Sequence, residues 1–271
     1  MTRGTISVVV VNFRTPDLTA EAVRSALAER EVVEAIVVDN GSGDGSVEQL
    51  GKTLSGLAAR LVPSEVNSGF GAGANRGAAV ARGDMLFFLN SDAILMPGSI
   101  GRMLQSFGPG IGAVAPLVLG PDGRTPQADA FGSFPSPRTL VFRTNRRPEH
   151  IRDPDWVSGV ALLVQRSTFE QIGGFDDSYQ MYLEDVDLCR RIRQAGWTVR
   201  KARDATVVHL GGGSYGSSTI RDAAYHQSLL LYLRKAGYPV PIVSALAPAH
   251  LLWQRGRRAV RRLRNPRVTT G

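Results

Sequence analysis

The sequence predicts an α/β protein built on a mostly parallel central sheet with helices on both faces. Two observations predict it. The runs ISVVVVNF (6–13) and VVEAIVVD (32–39) are β-branched and apolar without alternation, which is the composition of strands buried on both faces. Such runs alternate along the chain with segments of helical period, the order that gives parallel strands joined by crossover helices.

The elements follow in order. After the first strand, TPDLTAEAVRSALAER (15–30) reads as a helix, with Thr15 as N-cap and Pro16 at the first helical position. The second strand breaks into DNGSGDGS, and a weak helix follows over 46–59. A short strand at ARLVPS precedes NSGFGAGANRG (67–77), read as a glycine-rich loop, and a small helix ending at ARGD. MLFFLNSD is the next strand, and GAVAPLVLGPDGRTP a strand, a turn and a return. Residues 131–154 read as a long loop. Residues 155–177 give a strand, a short helix capped by Gly173 and Gly174, and a turn. LEDVDLCRRIRQAGW (183–197) is a helix whose buried face is marked by Leu188, Ile192 and Ala195, with Gly196 as its C-terminal cap. TVRKARDATVVHLGGGS closes with strand structure ending at His209. No internal repeat is present.

Composition bounds the answer. The 271 residues are 43% hydrophobic and 21% charged, the values of a soluble globular chain. One cysteine, Cys189, excludes an internal disulfide and fits a reducing compartment. The first residues run almost directly into a strand and do not read as a signal peptide. The net charge of +8 is local: residues 249–271 hold seven arginines and no acid, so the remainder carries 25 basic and 24 acidic residues. A basic tail on a nearly neutral body points to an anionic surface.

Polar side chains close the apolar strands. Asn12, Asp39 and Asp92 each stand at a strand's C-terminal end, and open α/β sheets bind ligands beyond that edge. Each also suits a turn. Asp92 reads either as a turn residue or as a ligand of a hard divalent cation shared with substrate phosphates. His209, at another strand end before three glycines, is the best further ligand. Glu184, Asp185 and Asp187 crowd the first turn of the 183–197 helix. They complement the helix dipole, and they also suit a general base at a cleft wall, kept ionised by that dipole. Residues 69–74 match G-x-G-x-x-A, but two strong strands precede them, the wrong context for a dinucleotide fingerprint. The segment reads better as a turn that admits a nucleotide or sugar, with Asn67 and Asn75 as donors.

Taken together, VVVVNF, IVVDNGSGDGS, NSGFGAGANRG, FFLNSDAIL, VSGVALLVQRSTFEQIGGFDDSYQMYLEDVDLCRRIRQAGW and VVHLGGGS resemble the family 2 glycosyltransferases, inverting enzymes of the GT-A fold, over roughly residues 5–215. LNSD, GGFDDSYQMYLEDVDL and VVHLGGGS look most like bacterial rhamnosyltransferases that act on lipid-linked cell-wall or O-antigen intermediates. The resemblance implies that Asn12 and Asp39 contact the donor's nucleoside and that Asn67 and Asn75 line its pocket. It implies that Asp92 binds the metal–diphosphate and His209 completes a Mg²⁺ or Mn²⁺ site. Asn90 stands at the first position of the family's DxD-like motif, where an amide is a weaker ligand than a carboxylate. The resemblance further makes Asp185 the catalytic base, with Glu184 and Trp156 on the acceptor side. Its donor is a nucleotide-sugar, first dTDP-L-rhamnose, and its acceptor a polyprenyl-linked saccharide.

The expected organisation is a glycosyltransferase domain at 1–225, with a nucleotide-sugar half (1–110) and an acceptor half (111–225), then a basic helical segment at 226–271. Residues 228–253 are apolar but interrupted by Arg234, Lys235 and prolines, a poor membrane span. The arginines after them would lie on anionic lipid, giving a cytoplasmic protein peripheral to the inner membrane face. Nucleic acid is not an expected partner, since the tail has few aromatics. A non-catalytic nucleotide-sugar-binding protein and a sugar nucleotidyltransferase are the alternatives.

Overall fold

The computed structural model describes residues 4–127, 130–142, 151–211 and 218–242. The arginine-rich tail, His150, His250 and the glycines at 212 and 213 lie outside them.

An eight-stranded sheet organises the chain. Its strands are β1 (Ile6–Asn12), β2 (Val32–Asn40), β3 (Ala59–Ser64), β4 (Met85–Asn90), β5 (Ala93–Leu95), β6 (Ile111–Leu119), β9 (Ala161–Gln165) and β10 (Thr198–His209), in the spatial order β3-β2-β1-β4-β9-β6-β10-β5. A second, two-stranded sheet pairs β7 (Phe131–Gly132) with β8 (Trp156–Val157). The strands β1, β2, β3, β4, β6 and β10 run one way, and β9 and β5 run against them. Asn12, Asn40, Asn90 and His209 therefore all emerge at one sheet edge, where β9 begins. Because β9 lies between β4 and β6, the two expected halves share one sheet.

Both sheet faces are covered, as the unbroken apolar strands require. Val8 and Val10 of β1 and Phe87 and Leu89 of β4 pack toward α1 (Pro16–Leu27), α2 (Ser46–Thr53) and α4 (Ser99–Gln105). Val9, Val11, Leu86 and Phe88 face the other layer, made by α3 (Phe70–Val80), α6 (Arg166–Gln171) and α7 (Glu184–Gln194). The short helix α5 (Pro137–Phe142) and the long α8 (Ser218–Lys235) complete the described chain. Helix α8 packs Leu229, Tyr232 and Leu233 on Tyr179, Leu183 and Val186. It runs through residue 225 without a break, so the expected boundary there falls inside one helix.

Three local expectations are corrected. The glycine-rich stretch is not a loop, because helix α3 begins at Phe70. Its glycines serve close packing: a Cβ on Gly77 would lie 2.4 Å from Val9 Cγ1, and one on Gly73 2.9 Å from Val11 Cγ1. Thr15 occupies the N-cap position of α1 but does not cap it. Its hydroxyl turns to Asn12 Oδ1 at 3.4 Å and Ser91 Oγ at 3.2 Å. Ala195 is exposed, and the buried face of α7 uses Val186, Leu188, Cys189 and Ile192. Gly196 does end this helix, at φ 89°, with its N–H on Arg193 O and that of Trp197 on Ile192 O, a Schellman closure.

Candidate active site

The β1–β2 corner is a closed polar cluster. Register places Asn12 beside Asp39. Asn12 Nδ2 donates to Asp39 Oδ2 at 2.7 Å and Ser42 Oγ at 3.2 Å, while its Oδ1 accepts from Thr19 Oγ1 at 2.8 Å. Ser42 returns its hydroxyl to Asp39 Oδ2 at 2.6 Å and its N–H to Oδ1 at 3.1 Å. Asn12 is 0% and Asp39 1% exposed. Both amide atoms of Asn12 are thus engaged, and its Nδ2 orients the Asp39 carboxylate at the strand end. Arg14, at φ 59°, covers the corner with its N–H on Ser42 Oγ and its Nε on Ser42 O, both at 3.0 Å.

Beside it, Asn40 bridges to the start of α3. Its Nδ2 donates to Asn67 Oδ1 at 3.1 Å and Gly69 O at 3.0 Å. Asn67 thus stands at the same edge. Asn75 Nδ2 donates to Phe175 O at 2.8 Å and Asp177 Oδ1 at 2.7 Å, and its Oδ1 accepts from Phe175 N at 2.9 Å. These bonds tie α3 to the 175–177 turn.

The turn between β4 and β5 carries Asp92, and strand pairing brings His209 to it, opposite Ala93. His209 Nε2 lies 3.3 Å from Asp92 Oδ1. Gln127 fixes the ring, with Oε1 3.0 Å from Nδ1 and Nε2 donating to His209 O at 3.1 Å. An amide oxygen only accepts, so Nδ1 carries a proton, and Nε2 points toward the Asp92 carboxylate. A carboxylate and an imidazole nitrogen this close are the kinds of side chain that would hold a divalent cation. Among the described residues, no cluster of three or more His, Cys, Asp or Glu side chains forms a larger site.

Asp185 reaches this edge through the backbone. Its Oδ2 accepts from Gly159 N and its Oδ1 from Val186 N, each at 2.8 Å. The neighbouring Val160 O accepts from Asn90 N at 2.9 Å, two residues before Asp92. Burial pushes the Asp185 carboxyl up, against the opposing pull of those N–H groups. Burial and then the charge of Asp185 push Glu184 up. Desolvation is thus the largest of the influences on both carboxyls. Asp187 takes a structural part, pairing with Arg190 at 2.9 Å and Arg191 at 2.7 Å. Trp156, on β8, donates its indole N–H to Ser133 O at 3.0 Å and packs near the α7–α8 cluster.

Sequence reasoning missed Ser42, Asn40, Gln127 and Gly159. Ser42 carries a signal, since a serine three residues after a strand-end aspartate suits an Asx-type turn. An isolated glycine in an apolar run marks close backbone approach, and a Cβ on Gly159 would lie 3.2 Å from Asp185 Cβ. Gln127 carries no such signal.

Comparison with known proteins now decides the family. The profile of Glycosyl transferase family 2 matches residues 7–159. The chain is 33% identical over 237 residues to the N-acetylglucosaminyl-diphospho-decaprenol L-rhamnosyltransferase of Mycobacterium tuberculosis, covering 77% of this chain and 76% of the relative. The chain belongs to glycosyl transferase family 2. This glycosyltransferase also shares its fold with solved structures. One is the mannosyltransferase PcManGT from Pyrobaculum calidifontis in complex with GDP-Man and Mn²⁺, at TM-score 0.64 and 19% identity over 93% of this chain and 70% of that one. Another is TarS 1–349 of S. aureus, at TM-score 0.58 and 16% identity over 92% and 70%. The transferase has the GT-A architecture, with its strand ends, Asp92, His209 and the start of α7 gathered on one edge.

Proposed function

We propose that this transferase moves a sugar, first L-rhamnose from dTDP-rhamnose, with inversion onto a hydroxyl of a polyprenyl-diphosphate-linked saccharide in cell-wall or surface-polysaccharide synthesis. The observation that carries the reading is the convergence of the Asp92–His209 pair and the Gly159-held Asp185 on one sheet edge. The mycobacterial rhamnosyltransferase supports the choice of sugar and acceptor.

In this reading the nucleoside rests against the corner formed by Asp39, Ser42 and Arg14, with Asn67 beside it. Asp92 and His209 would hold a divalent cation, which when bound neutralises charge on the departing diphosphate. Asp185 accepts the acceptor hydroxyl's proton as that oxygen attacks the anomeric carbon and the carbon–diphosphate bond breaks. Its raised proton affinity suits that task, and the two backbone N–H groups fix its direction. Glu184 and Trp156 stand on the acceptor side. A single displacement of this kind leaves no covalent sugar on the protein.

Asp185→Asn keeps the shape and removes the base. Transfer should fall by at least about 10²-fold while calorimetry shows donor binding within a few-fold of the native protein. Near-normal turnover by this variant would remove Asp185 from the role. Pyrophosphate release from a nucleoside triphosphate would favour a nucleotidyltransferase instead.

A further inference from the structure

Two consecutive non-glycine residues just before the proposed base, Tyr182 at φ 67° and Leu183 at φ 65°, are left-handed. Side chains rarely adopt this conformation, and it persists only where the surroundings over-determine it. The surroundings here come largely from α8. Leu183 is buried with Tyr179 and Val186 against Leu229, Tyr232 and Leu233. Ser228 Oγ donates to Met181 O at 2.6 Å. The rings of Tyr182 and Tyr225 meet edge to face, with centroids 5.9 Å apart. Lys235 holds the far end of the same segment, pairing with Asp176 and donating to Ser178 Oγ at 2.7 Å.

The segment 175–183 has a second attachment. Asn75 grips Phe175 and Asp177. Gln180 Nε2 donates to Asn67 O at 3.3 Å, and the chain passes so near Gly69 that a Cβ there would lie 2.4 Å from Gln180 O. One strap thus passes the donor loop at 67–69 and leads into the first turn of α7, fastened at 175–178 by Asn75 of α3 and Lys235 of α8 and at 181–182 by Ser228 and Tyr225 of α8.

We propose that this strap is a positioning device with separable ends, in which Ser228 and Tyr225 of α8 fix the placement of Asp185 while Asn75 fixes the donor loop. The proposal rests on the reading of Asp185 as base. None of these three residues touches the reacting atoms. They act through the backbone at 175–183, so their effects should divide between turnover and donor affinity.

The test uses the full chain, with dTDP-L-rhamnose and polyprenyl-diphosphate-linked N-acetylglucosamine as substrates. Ser228→Ala and Tyr225→Ala should each lower kcat about tenfold with donor KM within about twofold of native. Tyr225→Phe keeps the ring contact and should recover kcat to within about twofold. Asn75→Ala should do the reverse, raising donor KM about tenfold with kcat nearly kept. Thermal unfolding confirms that each variant is folded, and Ser228→Ala carries the test if Tyr225→Ala is not. Native kcat in folded Ser228→Ala, or equal changes in kcat and KM for both ends, overturns the proposal. Asp185→Asn separates the layers: its inactivity beside fully active α8 variants removes only the positioning role, whereas its normal turnover removes the base assignment itself.

Discussion

Asp185 is held by two backbone N–H groups and raised by burial, and the balance decides its chemistry. A base works when deprotonated. With its pKa displaced upward, activity should fall as pH drops through a value above the ordinary aspartate figure of about 3.9. A profile of kcat/KM against pH checks this, and an acidic limb at or below that figure contradicts it. His209 offers a second residue-scale prediction. Gln127 orients the ring so that Nε2 faces Asp92. Outer partners of this kind are worth about 10- to 100-fold in metal affinity. Gln127→Ala should weaken Mn²⁺ binding by that range in calorimetry with dTDP present, and His209→Ala at least as much. Unchanged Mn²⁺ affinity in both variants removes His209 from the cation site.

Helix α3 shows how an element depends on what its side chains lack. Gly71, Gly73 and Gly77 let it lie against Phe175 and β1, with a Gly77 Cβ displaced by Val9. Gly77→Val should destabilise the fold by about 1–3 kcal/mol or more through overpacking, measured by denaturant unfolding, and a neutral result contradicts that contact. The same helix marks the limit of what the sequence discloses. Glycine lowers helix propensity, so 67–77 reads locally as a loop, and only the tertiary contact with β1 reverses that reading. Strands β1, β2 and β4 were legible because burial on both faces writes an unbroken apolar run. The antiparallel place of β9 was not, since a short apolar run carries no mark of direction. Asp92, His209 and Asp185 were legible from strand-end and helix-start positions. Gln127 was not, because its role depends on side-chain contacts with His209, 82 residues away. Asn75 and Asn12 were legible as polar residues, but the atoms that occupy their amides are set by tertiary neighbours.

At the scale of the molecule, the sheet's direction rule brings Asp39, Asp92 and His209 to one edge, and Gly159 holds Asp185, the proposed base, beside it. Among the described residues no helix is long and apolar enough to cross a membrane. The membrane attachment proposed for the arginine-rich tail rests on its charge, at about 1 kcal/mol per basic residue near an anionic surface. The full chain should sediment with anionic vesicles at low salt and a 1–248 truncation should not. Equal, negligible binding of both ends that proposal. The claim on which the rest depends is that one edge carries out a single displacement with Asp185 as its base. The most direct measurement is the anomeric configuration of the newly formed linkage, read by NMR of product made from a donor of defined configuration. The account predicts complete inversion relative to the donor, and a product that retains the donor's configuration would contradict it.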